Sequence, residues 1–163
     1  MILVARDSPA RHDVVRLLDE HLADMFATSP AESVHALDLG ALAGPDITLW
    51  TARDSAVPGG AVLLGCGALK ELGPEEAEIK SMRTAQHARG RGIAALVLRR
   101  ILNEARLRGY RRLFLETGSQ EFFAPARRLY ARHGFVRCPP FAGYLPDPNS
   151  VFMVRSLADA LPG

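Results

Sequence analysis

Residues Arg89-Gly90-Arg91-Gly92-Ile93-Ala94 join a polar loop to a long amphipathic segment of this 163-residue chain. The two glycines let the backbone come close to a ligand, because neither carries a Cβ atom. The first N–H groups of a helix have no acceptor within the helix, so they are free to bind an anion. The two arginines add positive charge and forked hydrogen-bond donors. The stretch therefore predicts a site for a phosphate-bearing ligand at the start of a helix.

The segments beside this loop predict a mixture of helix and strand. Apolar residues recur at helical spacing from Ile93 to about Arg108, and Gly109 ends the pattern. Before the loop, three β-rich segments separated by turn residues predict an antiparallel meander, and they cover residues 47–53, 61–69 and 77–84. A short apolar strand is predicted after the helix, at residues 113–116.

The two ends of the chain complete this order. A strand at residues 1–7 precedes a helix in which Ser8 is the predicted N-cap and which runs to about Phe26. A short helix is predicted at about residues 34–42, another begins at Pro125, and two last strands follow. The order β-α-α-β-β-β-α-β-α-β-β predicts a three-layer α/β (α+β) fold. Its mixed, mostly antiparallel central sheet has about six or seven strands, with helices on both faces.

Composition predicts one soluble globular domain over residues 1–163, at 48% hydrophobic and 23% charged residues. No apolar run is long enough to span a membrane, and the N-terminus lacks the features of a signal peptide, so a cytoplasmic location is expected. Two cysteines are too few for a disulfide framework, and the five histidines have no ligand-like spacing. We therefore expect no metal.

The net charge of +2 conceals a strong asymmetry. Residues 1–79 carry 5 basic and 13 acidic side chains, whereas residues 80–137 carry 14 basic and 3 acidic ones. The basic block surrounds the glycine loop and suits a ligand with several phosphates. It would also suit nucleic acid, but the exposed aromatic platforms interleaved with arginine that stacking proteins need are not evident. No nucleic-acid partner is therefore expected.

Two motifs in this order resemble the GNAT superfamily of N-acetyltransferases. The acetyl-CoA signature of that family is Gln or Arg, two residues, Gly, one residue, then Gly or Ala, and residues 89–94 satisfy it. Residues 129–135 are similar to the later Leu-Tyr-x-x-x-Gly-Phe motif, and residues 77–84 look like the fourth strand of the family. The resemblance extends over essentially the whole chain and implies the GNAT fold. One departure is Ala124, where many members have asparagine.

The resemblance implies acetyl-CoA as the cofactor, with CoA as the product. Backbone N–H groups of residues 89–94 would bind its pyrophosphate, and the backbones of Met82 and Thr84 would pair with the pantetheine arm. This pairing requires the strands near Met82 and Leu115 to diverge, typically beside a bulge. The implied cofactor-binding set is Met82, Arg83, Thr84, Arg89, Gly90, Arg91, Gly92, Ile93, Ala94, Phe123 and Tyr130.

Two side chains are candidates for the chemistry of direct acetyl transfer within a ternary complex. Tyr130 of the Leu-Tyr-x-x-x-Gly-Phe motif would be the general acid for the departing thiolate, although its helical spacing also fits a core aromatic residue. Glu78 would be the base for the amine, directly or through water, because members with a glutamate at this point of the strand can use it so. Its alternative reading is a solvent-exposed strand carboxylate.

The acceptor is predicted to be a small molecule with a primary amine. Strand alternation would place Glu78, Lys80 and Met82 on one face, and residues 79, 81 and 83 on the other. Carboxylates favour a cationic acceptor and lysine favours one with a carboxylate, which together fit an amino-acid-like compound. The candidate acceptor-binding side chains are Lys70, Glu71, Lys80 and Glu116. By analogy with the family a homodimer is possible.

The competing interpretation is a dinucleotide-binding oxidoreductase. Residues 90–95 fit Gly-x-Gly-x-x-Ala, and Glu116 lies about 20 residues further on, at a predicted strand end. That motif should follow an apolar strand directly, whereas the polar residues 86–89 intervene here.

Overall fold

A single seven-stranded sheet forms the centre of the computed structural model, which describes residues 1–35, 39–56 and 61–157. The spatial order of the strands is β1-β2-β3-β4-β5-β7-β6, and every neighbouring pair is antiparallel except β4 and β5. The predicted mixed, mostly antiparallel sheet is confirmed. The strands are β1 (Ile2–Arg6), β2 (Ile47–Asp54), β3 (Val62–Glu71), β4 (Glu76–Thr84), β5 (Arg112–Gly118), β6 (Val136–Arg137) and β7 (Ser150–Ser156).

Helices cover both faces of this sheet, as predicted. The α-helices are α1 (His12–Thr28), α2 (Leu39–Leu42), α3 (Ile93–Leu107) and α4 (Ala124–Arg132), with short 3-10 turns at Ala31–Ser33, Gln86–Ala88 and Glu121–Phe123. The apolar stripe of α3 is buried and packs against β2, β3 and β4, while α1 packs against β3 and β4 from the other side. The crossover through α3 connects the one parallel pair, β4 and β5, as such pairs require.

Two predicted helix boundaries are wrong. Ser8 does not cap α1: its Oγ accepts the N–H of Ala10, and the helix begins at His12 after this turn. Short polar side chains make such local backbone contacts readily, and here the contact replaces the first helical turn. The second predicted helix, at residues 34–42, is found only at Leu39–Leu42, and residues 36–38 of that prediction lie outside the described residues.

The parallel strands β4 and β5 separate halfway along their length. Their pairing runs from Glu76–Arg112 to Ile79–Leu115 and includes no later residue. On its other edge β4 contains a bulge: Lys80 pairs with Ala68 and Arg83 with Cys66, so Ser81 and Met82 together oppose Gly67. Ser81 has a φ of 57°, and a bulge of this kind bends its strand. The divergence expected from the family resemblance is therefore present, and it opens a cleft in the sheet.

The bulge also reverses the alternation predicted for β4. Glu78 and Lys80 do share a face, but Arg83 joins them, since it forms an ion pair with Asp24 of α1. Met82 points to the α3 face instead, where its Sδ lies 2.5 Å from the position that a Cβ atom of Gly67 would take. The predicted grouping of Met82 with Glu78 and Lys80 is wrong, because the extra residue shifts every later side chain to the other face.

Gly67→Ala is expected to destabilise the protein by about 1–3 kcal/mol, because the residue has no room for a side chain. A Cβ atom there would lie 2.5 Å from Met82 Sδ and 2.8 Å from Val97 Cγ1. Chemical denaturation of the variant measures the free energy of unfolding. Gly73→Ala is the matched control, since no atom lies within 4 Å of its Cβ position. Equal stabilities of the two variants would contradict this packing.

Candidate active site

The cleft between the diverging strands has a volume of about 600 Å³. The second halves of β4 and β5 form two sides of it, and the N-terminus of α3 and the inner face of α4 complete the walls. Tyr144, in the loop before β7, and His35, after α1, close one end. Residues distant in sequence thus meet at the point where the sheet opens, in a volume typical of small-molecule sites.

The glycine turn lies at the start of α3 with its backbone facing the cleft. Gly90 and Gly92 have φ values of 78° and 75°, and Gly92 is the N-cap residue of the helix. No atom lies within 4 Å of the Cβ position of either residue, so the turn leaves an open cradle beside the free N–H groups of the helix. Of the predicted cofactor-binding residues, Arg89, Gly90, Gly92, Ile93 and Ala94 line the cleft.

Arg91 does not line the cleft; its guanidinium lies 3.9 Å from the carboxylate of Asp54. The predicted strand residues Met82, Arg83 and Thr84 do line it. Arg83 is nearly buried and forms an ion pair of 2.6 Å with Asp24. Burial and the charge of Arg83 lower the pKa of His21, another cleft residue, to about 4, so this imidazole is neutral at pH 7.

Tyr130 and Phe123 reach the cleft from α4 and the turn before it. The ring of Phe123 packs on Gly118 at the end of β5, where a Cβ atom would collide with it. Tyr130 is 6% exposed, and its ring contacts that of Phe135 edge-on at 5.8 Å between centroids. Burial and the nearby Glu116 raise the pKa of the Tyr130 phenol, so the hydroxyl stays protonated at neutral pH.

A hydrogen-bond network closes the end of the cleft opposite the glycine turn. Tyr144 donates a hydrogen bond of 2.6 Å to Glu78 Oε2. Lys80 Nζ donates to the same oxygen at 3.2 Å, to the Tyr144 hydroxyl at 2.7 Å and to the His35 carbonyl at 3.2 Å. Glu78 is only 3% exposed, so it is not a solvated strand carboxylate. The network joins β4 to both loops at this end.

Glu116 lies on β5 directly beyond the last residue pair that β4 and β5 share, and it lines the cleft. Burial is the main reason that its pKa is raised to about 7; Glu78 and Asp147 raise it further, while Lys80 opposes them. A carboxyl group with this pKa changes its charge near neutral pH, as a general base for an amine requires.

Lys70 and Glu71 do not line the cleft, so the structure does not support the predicted acceptor-binding role of either. Glu71 instead accepts a hydrogen bond of 3.1 Å from the Tyr110 hydroxyl. Lys80 and Glu116 do line the cleft. Tyr144 and His35 also line the cleft, although neither is among the predicted site residues. Nothing in the local sequence distinguishes these two side chains.

Within the part of the chain that the structure describes, no helix is long and apolar enough to cross a membrane. Over the same residues, no three histidine, cysteine or acidic side chains are close enough together to hold a metal ion.

A mixed sheet that opens between two parallel strands, beside a glycine turn at a helix N-terminus, defines an acyl-CoA N-acyltransferase fold. The sequence profile of the Acetyltransferase (GNAT) family matches residues 14–135, and the chain belongs to this family. It is an acetyltransferase. The comparisons give no support to the oxidoreductase alternative.

Two relatives resemble almost the full length of the chain. The uncharacterised N-acetyltransferase YsnE of Bacillus subtilis is 52% identical over 93% of this chain and 97% of its own length. A protein of Azospirillum brasilense named IAA acetyltransferase is 41% identical over 96% of this chain and 98% of its own.

Solved structures share the fold. That of an acyl-CoA N-acyltransferase homologue from Klebsiella pneumoniae superimposes with a TM-score of 0.79 at 28% identity, covering 96% of this chain and 98% of the other. A GNAT acetyltransferase from Elizabethkingia anophelis, solved with acetyl-CoA bound, has a TM-score of 0.65 at 16% identity, with 96% and 98% covered. The predicted GNAT fold is therefore confirmed.

Proposed function

We propose that this protein transfers the acetyl group of acetyl-CoA directly to the primary amine of a small molecule, within a ternary complex. The observation that carries the proposal is the cleft itself, with an anion cradle at one end, Tyr130 on its wall and the carboxyl groups of Glu78 and Glu116 at the other end. The similarity to a relative named for a small acceptor, IAA, supports a small-molecule substrate.

The residues present fit acetyl-CoA. The open cradle at Gly90 and Gly92 would hold the pyrophosphate on free N–H groups at the helix N-terminus, with Arg89 adding charge. Beyond Ile79, β4 no longer pairs with β5, so its edge is available to the pantetheine arm along Met82 and Thr84. When bound, the cofactor supplies an activated acetyl group and a thiolate that can depart.

Tyr130 is proposed as the general acid. Its hydroxyl is protonated at neutral pH, because burial and the charge of Glu116 raise its pKa, and the residue lies on the cleft wall. It would give its proton to the sulfur as the carbon–sulfur bond breaks and regain one from the nitrogen that has attacked. The overall reaction also releases the proton that the acceptor ammonium must lose before its nitrogen can attack, and the base takes up this proton.

Glu116 fits the role of the base better than Glu78. Oε2 of Glu78 already accepts hydrogen bonds from Tyr144 and Lys80, which hold the carboxylate in place. The carboxyl group of Glu116 makes no hydrogen bond or ion pair with the described residues and has a pKa of about 7. We therefore propose that Glu116 removes the proton of the acceptor ammonium and that Glu78 positions Lys80 and Tyr144.

An acceptor screen tests the proposed function. Thiol release from acetyl-CoA is followed with a chromogenic disulfide, in the presence of a panel of primary amines and of IAA. We expect release that depends on one or more of the amines, with an N-acetyl product detected by mass spectrometry. Thiol release with every amine absent would indicate simple hydrolysis, and a protein that failed to bind acetyl-CoA in calorimetry would refute the proposal.

The pH dependence of kcat/KM distinguishes the two carboxylates. Only the ionised form of Glu116 can accept a proton, so the rate should rise with pH through a midpoint near 7 and then level off. Glu116→Gln should lower kcat/KM about tenfold or more and remove that midpoint. Glu78→Gln should keep it. The reverse pattern, with the midpoint retained in Glu116→Gln and lost in Glu78→Gln, would make Glu78 the base.

A further inference from the structure

The charges at the end of the cleft opposite the glycine turn indicate what kind of acceptor fits. We call this end the acceptor chamber and define it by the side chains of His35, Glu78, Lys80, Glu116 and Tyr144. An amino-acid-like acceptor would need a positively charged group here for its carboxylate. Whether the chamber offers such a group depends on the hydrogen bonds that Lys80 already makes.

Lys80 has no donor left for a ligand. An ammonium group carries three N–H donors, and those of Lys80 meet three acceptors: Glu78 Oε2, the Tyr144 hydroxyl and the His35 carbonyl. The side chain is 8% exposed. Binding a substrate carboxylate would require breaking one of these bonds within a buried network, where lost partners are costly.

Arg83, the other cation on this face of β4, is also engaged. Its guanidinium forms an ion pair with Asp24 at 2.6 Å, while its Nε is buried without a hydrogen-bond partner. The remaining arginines on the cleft lie outside the chamber, Arg89 in the glycine turn and Arg132 at the last residue of α4. Lys80 and Arg83 are therefore both paired with carboxylates before any ligand arrives.

Unlike Lys80 and Arg83, Glu116 has a charged group without a partner among the described residues. It lines the cleft and makes no hydrogen bond or ion pair to any residue that the structure describes. Glu78, by contrast, is compensated by Lys80. Of the side chains that define the chamber, Glu116 thus has a carboxyl group without a hydrogen-bond or ion-pair partner, whereas the ammonium group of Lys80 is fully bonded. A ligand ammonium would supply the missing partner, whereas a ligand carboxylate would face Glu116 and Glu78 without a counter-charge.

We propose that the acceptor is an alkyl or arylalkyl primary amine that has no carboxylate beside the reacting nitrogen, and that Glu116 binds its ammonium group. This inference rests on the proposed function and narrows it, because it excludes α-amino acids as the preferred class. The rings of Tyr144 and His35, 5.0 Å apart between centroids, give the chamber an aromatic wall against which the carbon skeleton of such an amine can pack.

The test compares amines with the amino acids from which they differ by a single carboxylate. The pairs are phenethylamine and phenylalanine, tryptamine and tryptophan, and tyramine and tyrosine, each assayed for kcat/KM with saturating acetyl-CoA. We expect the amine of the best pair to exceed its amino acid by about tenfold or more, a ratio that corresponds to about 1.4 kcal/mol, because a buried group without a partner is costly. The methyl ester of the amino acid controls for size and should recover activity.

A second arm uses Glu116→Gln. Removing this charge should reduce the ratio of amine to amino-acid kcat/KM, while the Kd of acetyl-CoA measured by calorimetry stays unchanged. An amino acid that reacts as fast as its amine, or no turnover with any of the six compounds in a protein that binds acetyl-CoA, would overturn the inference. Failure to bind acetyl-CoA would instead remove the proposed function on which it rests, so the two failures are distinguishable.

Discussion

Replacing Tyr130 by phenylalanine is expected to lower kcat by about 10²–10⁴, the usual contribution of a general acid. The variant keeps the ring, which is 6% exposed and packs against Phe135, and loses only the hydroxyl. Affinity for acetyl-CoA should change little, because the hydroxyl acts when the thiolate departs. Steady-state kinetics with the best amine, together with calorimetric binding of acetyl-CoA, measure both quantities.

Tyr110→Phe is the matched control for this substitution. Tyr110 is also 6% exposed and uses its hydroxyl in a hydrogen bond, but that bond goes to Glu71, away from the cleft. The control should lose a little stability and keep its turnover. If Tyr130→Phe retained the wild-type kcat, Tyr130 would be a core aromatic residue and the acid would have to be sought elsewhere.

Gly92→Val is expected to weaken acetyl-CoA binding by about 100-fold or more. Gly92 has a φ of 75°, which a β-branched residue adopts only with strain, so the turn must change its path. The N–H groups at the start of α3 then no longer converge on the pyrophosphate. Loss of one or two charge-assisted hydrogen bonds, at about 1.5–3 kcal/mol each, accounts for the size of the effect.

Gly109→Val separates this loss of binding from a loss of stability. Gly109 has a φ of 82° and, like Gly92, no atom within 4 Å of its Cβ position, but it follows the C-terminal end of α3. Both variants should show a similar fall in the free energy of unfolding, while only Gly92→Val should bind acetyl-CoA weakly. Calorimetry and denaturation of the pair provide the measurements, and unchanged affinity in Gly92→Val would remove the glycine turn from the cofactor site.

Much of the fold could be predicted because its signals are local. Apolar periodicity identified α3, turn residues separated β2, β3 and β4, and two short motifs in order indicated the family. The glycine turn could also be predicted from the sequence, because glycine adopts positive φ values more readily than other residues. Tyr130 was found through its motif, and the structure places it on the cleft.

The acceptor chamber could not be predicted in the same way. The consecutive members of the set His35, Lys80, Glu116 and Tyr144 are 28 to 45 residues apart along the chain, and they meet only because the sheet opens between β4 and β5. The predicted alternation of side chains along β4 was wrong beyond Ser81, because the bulge places Arg83 on the same face as Lys80. The bulge is defined by the register of β4 against β3, and that register is not visible in the sequence of β4 alone.

The sequence by itself determined the order of the elements, the glycine turn and the acetyltransferase class, because each depends on residues that are neighbours along the chain. Only the tertiary structure decided which charges are free. Lys80 and Glu116 look alike as candidate acceptor-binding residues in the sequence, yet one is saturated by three acceptors and the other lacks a partner. That difference arises from contacts between distant segments, and it is what favours an amine over an amino acid.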